Sequence, residues 1–110
     1  MIPLGVRAPG VAEAARTATG KIDSGADLCG VPRELIELAG LPPLRRVRAA
    51  SFTGELTHAV VYRVEVEVDG DWIEGIECIA TQRPYVIVGR NVLAHFIVRL
   101  DGPRARLEIR

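Results

Sequence analysis

The sequence predicts an all-β domain, a partly closed barrel carrying one or two short helices. Three observations predict it. Residues 60–68 alternate with period two: Val60, Tyr62, Val64, Val66 and Val68 fall on one face, and Val61, Arg63, Glu65 and Glu67 on the other. Asp69-Gly70 follows, a tight-turn pair, and then a second apolar stretch from Trp72 through Ile73, Ile76, Cys78 and Ile79, so the two read as a hairpin. Gly and Pro punctuate the chain at Pro9-Gly10, Gly40, Pro42-Pro43 and Gly102-Pro103, which leaves room for short strands and little else.

The other elements follow in order. Strands are expected over residues 2–8, 12–22, 46–52, 85–88, 96–100 and 105–109. The Ala-rich start of the second is a weak strand former, and helical pairing there is an alternative. A helix is expected over 32–39, with Pro32 in a first-turn position and Gly40 just past its end. A shorter one is expected over 90–95.

With 110 residues, the chain is expected to be a single domain, 1–110, long enough to bury a core without staples. Fourteen Lys and Arg against 14 Asp and Glu give zero formal charge, which argues against a nucleic-acid partner. The local run Arg45, Arg46, Arg48 reads as a solvated face. No apolar stretch reaches membrane-span length, and the N-terminus lacks a signal-peptide pattern, so no membrane partner is expected. Cys29 and Cys78 read as small buried hydrophobes in a reducing, cytoplasmic compartment. Neither they nor His58 and His95 show metal-ligand spacing, so neither a metal nor another cofactor is expected. Both histidines read as surface or boundary residues.

Asp23-Ser24-Gly25 directly follows a strand pattern ending at Ile22. The tripeptide alone is good turn chemistry. Its context is more specific. Ile22-Asp23-Ser24-Gly25-Ala26-Asp27, the helix pattern leading to Ala39, the segment Ala50-Ser51-Phe52-Thr53-Gly54-Glu55, and Val86-Ile87-Val88-Gly89-Arg90-Asn91-Val92-Leu93 stand in the order and spacing of one family. In these residues the chain resembles the retropepsin-like aspartic proteases, retroviral proteases and their bacterial and archaeal relatives, from about Ala12 to Ile109.

The resemblance implies a retropepsin-like barrel with one lobe per chain, paired as a symmetric homodimer, and a peptide or protein substrate. Asp23 would be the catalytic aspartate. Two such carboxylates over one water do not both ionise. One acts as general base on the water, and the other, protonated, polarises the scissile carbonyl. The chain has a single Asp-Ser-Gly, so the second would come from another copy. Ser24, Gly25 and Ala26 would support the loop, with the Ser24 hydroxyl bonding across the axis. Asp27 and Arg90 would form a bracing ion pair. Ile87, Val88 and Gly89 would be the second motif, and Asn91 a cap or loop bond. Phe52, Thr53 and Gly54 would mark a flap that closes over substrate. Tyr85, Val86 and Ile87, with Phe52, are candidate pocket walls. Terminal residues would build the dimer interface, with Leu107 and Ile109 opposite Ile2 and Leu4. Arg7 is a loose candidate for an inter-subunit arginine.

The chain departs from the family at Lys21, where an apolar residue is usual. This lysine either lines the cleft or points outward. Two other readings remain open. One is a peptide-binding or dimerisation module of the same fold that has lost turnover. The other is a β-barrel ligand domain in which Asp-Ser-Gly is only a turn.

Overall fold

The computed structural model describes residues 1–12, 15–50, 56–95, 98–101 and 106–109, with the side chains of 49–50, 56–58, 98–101 and 106–109 outside that description. Nine strands and two short helices are described, in the order β1 (Ile2–Arg7), β2 (Arg16–Ile22), β3 (Cys29–Pro32), α1 (Arg33–Ala39), β4 (Pro43–Ala50), β5 (Leu56–Val68), β6 (Asp71–Thr81), β7 (Val86–Val88), α2 (Arg90–Leu93), β8 (Val98–Asp101) and β9 (Arg106–Ile109). Phe52, Thr53 and Gly54, the expected flap, lie outside the described residues, as do Phe96 and Ile97.

Six strands close a ring, β1-β2-β7-β3-β6-β5, because β1 pairs with β2 on one side and with β5 on the other. The length of β5 makes this possible. Its last residues, Glu65–Glu67, pair with β1, while Leu56–Tyr62 pair with β4 along the same edge. The expected hairpin of β5 and β6 forms. Asp69 (φ 53°) and Gly70 (φ 87°) are both left-handed, the backbone a two-residue hairpin needs. β8 and β9 form a separate antiparallel pair.

The barrel interior holds Leu4, Val6, Cys29, Val31, Val64, Val66, Ile73, Ile76, Cys78, Val86 and Val88, with Ile36 and Ala39 of α1 and Val92 of α2 packed on it. Gly40 ends α1 in the left-handed conformation (φ 64°), its N–H donating to the Glu37 carbonyl.

Several expectations are corrected. β3 has no counterpart among the strands read from the sequence. The second strand begins at Arg16 rather than residue 12, and α2 ends at Leu93, with Ala94 and His95 in a turn. The two faces of β5 are not simply inside and outside. Val64, Val66 and Val68 are buried as read, but Val60 and Tyr62 are only half-buried, and Val61 and Glu65 on the opposite face are buried too. Arg7 accounts for Glu65: its Nε donates to Glu65 Oε1 at 2.7 Å, and its guanidinium sits 3.8 Å above the centre of the Trp72 ring. Arg7 is thereby engaged within its own chain. On the face Val61 occupies, Arg45 forms a two-toothed bridge to Glu77 across β5, both contacts at 2.6 Å, so Arg45 is paired while Arg46 and Arg48 stay exposed. Leu4 is a core residue, 3% exposed, and so is withdrawn from any interface.

Candidate active site

The site arises from a topological feature of the barrel. β7 lies between β2 and β3, parallel to β2 and antiparallel to β3. The chain therefore leaves β2 at Ile22, passes over the end of β7 through residues 23–28, and returns as β3. Parallel register pairs Ile22 with Val88, and the Asp23 N–H donates to the Val88 carbonyl at 3.0 Å. The loop is thus tied to the strand it crosses at its first residue.

Asp23 organises the turn that follows. Its Oδ1 accepts from the Gly25 N–H at 2.9 Å, and its carbonyl accepts from the Ala26 N–H at 3.2 Å. The turn chemistry and the exposed carboxylate are two uses of one residue. Asp23, Ser24 and Gly25 are all exposed, at the open side of the loop.

The far side of the loop is held by α2. The first amides of a helix have no partner within it. Here the Arg90 N–H donates to the Ala26 carbonyl at 2.8 Å, and the Asn91 N–H to the Asp27 carbonyl at 3.3 Å. Gly89 permits this approach. A Cβ on it would stand 2.5 Å from the Leu28 oxygen and 3.0 Å from the Ala26 oxygen. Arg90 Nη2 and Asp27 Oδ1 also form an ion pair, with side chains 62% and 77% exposed, so it adds little to stability. Asn91 Nδ2 donates to the Glu77 carbonyl at 2.7 Å and ties α2 to β6.

Asp23 opens onto a cleft of about 350 Å³ lined by Lys21, Ile22, Asp23, Arg83, Tyr85 and Ile87. Tyr85 and Ile87 stand on its wall as read from the sequence. Val86 does not: strand alternation turns it into the core, where it is fully buried. Arg83 was not singled out in the sequence. The available signal was a cation two residues before Tyr85 in a Pro-containing loop, and that alone does not mark a cleft.

The two cysteines face each other in register on β3 and β6, both fully buried. Burial pushes the Cys29 thiol up to about 12, and burial followed by the neighbouring Cys29 raises Cys78 as well. Neither is a nucleophile at neutral pH. Among the described residues, no helix is long and apolar enough to cross a membrane.

A closed six-stranded barrel, with an Asp-Ser-Gly loop crossing the end of a strand that is followed by Gly-Arg-Asn, defines a structural class. Among solved structures, this chain is similar to the simian foamy virus protease, with a TM-score of 0.62 and 22% identity over 84% of this chain and 91% of that one. It is also similar to a retropepsin-like aspartic protease from Rickettsia conorii, with a TM-score of 0.60 and 17% identity over 97% of this chain and 80% of that one. A third likeness is the retroviral protease-like domain of Ddi1 from Leishmania major, with a TM-score of 0.58 and 19% identity over 99% and 87%. No family model matches the chain, and no curated protein matches it by sequence. The chain has the retropepsin-like fold.

Proposed function

We propose that the chain is one half of a homodimeric aspartic endopeptidase, with Asp23 as the catalytic carboxylate of each subunit. One observation carries this reading. Asp23 is held at its backbone by β7 and at its side chain by Gly25, yet stays exposed at the mouth of a cleft.

In the dimer, the two Asp23 carboxylates face each other across the two-fold axis and hold one water and one proton between them. The ionised carboxylate takes a proton from the water as it attacks the peptide carbonyl. The protonated one donates to the carbonyl oxygen, giving a neutral tetrahedral diol. Collapse of the diol breaks the C–N bond, with the leaving nitrogen protonated from the dyad. Ser24, Gly25 and Ala26 keep the carboxylates in register, and the Asp27–Arg90 pair and the α2 amides brace the loop from behind. Phe52, Thr53 and Gly54 act as the flap over an extended peptide.

The test is peptide-library cleavage by wild type and Asp23→Asn, with dimer state followed alongside. The variant is expected to lose at least about 10²–10⁴-fold in rate while remaining a folded dimer. Wild-type cleavage by the variant would sink the assignment. A second reading, a peptide-binding or dimerisation module without turnover, is favoured by Lys21, a cation on the catalytic face. It is the outcome if wild type dimerises and binds peptides but cuts none.

A further inference from the structure

We infer that Lys21 and Arg83 make the cleft beside Asp23 a subsite for an acidic side chain. The substrates would then be peptides carrying Asp or Glu close to the scissile bond. The inference rests on the protease reading for its location and deepens it by naming a substrate class.

Strand alternation supplies the first argument. Along β2, Gly20 is buried and Ile22 packs against the core, while Lys21 and Asp23 are both exposed. The Asp23 N–H bond to Val88 carries the β2 direction one residue past the strand end, so Lys21 and Asp23, two apart, share a face. Lys21 therefore lines the cleft, settling the choice that the sequence left open. Its register partner on β7 is Ile87, which lines the same cleft, and its Nζ lies 5.9 Å from the centre of the Tyr85 ring. The aliphatic stem thus runs along the cleft wall and carries its charge within the cleft.

Charge supplies the second. Of the six residues lining the cleft, two are cations and Asp23 is the one anion. Among the described residues, neither Lys21 nor Arg83 is engaged in an ion pair, so both charges are available to a ligand in the cleft. Asp23 is committed to the reaction and cannot serve as their standing partner. A substrate carboxylate fits both the space and the charge, and it would meet two cations that water alone otherwise solvates. The two-fold axis of the dimer adds a constraint. Each subunit brings one such subsite, so the acidic preference falls at two peptide positions, one on each side of the cut bond.

The experiment compares peptides scanned with Glu against Gln at every position, for cleavage by wild type and for binding to Asp23→Asn. It is repeated with Lys21→Gln/Arg83→Gln introduced in each background. Both cations are exposed, so the substitutions leave the fold intact. Glu is expected to exceed Gln by about three- to tenfold at two positions, one on each side of the cut bond, less at high salt, and the double substitution erases the difference. Equal use of Glu and Gln overturns the inference, as does a preference that survives the double substitution. In either case, cleavage by wild type but not by Asp23→Asn leaves the protease reading standing. If wild type cuts nothing, the protease reading fails, and the binding arm alone decides the subsite, absence of all peptide binding counting against it.

Discussion

Replacing Gly89 with alanine tests how tightly the Asp23 loop is locked to α2. The added Cβ would stand 2.5 Å from the Leu28 oxygen, 2.7 Å from the Leu28 carbonyl carbon and 3.0 Å from the Ala26 oxygen. The closest contact is half an ångström inside the 3.0 Å floor of real Cβ contacts, and all three atoms are backbone, so no side chain can swing away. The Gly89 backbone (φ −83°, ψ −179°) suits alanine, so the penalty is purely one of packing. The Ala26 oxygen is also the acceptor for the Arg90 N–H at 2.8 Å, and displacing it weakens that bond. Overpacking of this kind costs about 1–3 kcal/mol. For a domain of this size that is a fall in Tm of roughly 5–15 °C. The sign is diagnostic, since a strain-free Gly→Ala change stabilises by about 0.4–1 kcal/mol through the unfolded chain. Urea unfolding of the two proteins at matched concentration measures the difference. A variant as stable as wild type would refute the close approach on which the geometry of the loop depends.

Three further outcomes follow from the same structure. Glu65 is 6% exposed, so Glu65→Gln should cost about 2 kcal/mol in urea unfolding by leaving Arg7 without its counter-ion, and adding Arg7→Met should recover part of the loss. The Arg45 hydrogen bond holds the Glu77 carboxyl below its usual value, so its contribution is complete above the ordinary Glu value of 4.5 and is lost as pH falls through the lowered one. The stability gap between wild type and Glu77→Gln should therefore narrow as the solution is acidified below that range, and a gap that widens in acid contradicts the bridge. Iodoacetamide at neutral pH should label neither Cys29 nor Cys78 in the folded protein and both in denaturant, and rapid native labelling would contradict their burial.

The long hairpin was legible because its signals are local. Alternation over residues 60–68 and the Asp69-Gly70 pair needed no partner to be recognised. β3 was not legible, because Cys29-Gly30-Val31-Pro32 is four residues long and, lying between β7 and β6, is buried without alternation. The register shift opposite Glu65 was hidden for a related reason. Gly75 adopts φ 73° there, and the extra residue lets Ile73 and Ile76, three apart, both reach the core. The burial of Glu65 against Arg7 depends on β1 meeting β5, a closure that no local pattern announces.

The same division holds at the site. The Asp23 turn and Gly89-Arg90 were visible as short motifs, and the structure brings them together, down to the Asp27–Arg90 pair. What joins them, the passage of residues 23–28 over the end of β7, is topology and has no sequence signature of its own. Lys21 could be assigned to the cleft only once β2 and β7 were in register. Arg83 acquires meaning only from the wall it shares with Tyr85 and Ile87.

In the proposed enzyme each active site takes one Asp23 from each of two copies. The most direct test of this sharing mixes wild type with Asp23→Asn under conditions where dimers exchange, at equal amounts and constant total chain. If both carboxylates are needed, only wild-type pairs cut, and activity falls to about one quarter of the undiluted value or below. Activity at about one half or above would mean that a subunit works without its partner's carboxylate, and would contradict the account.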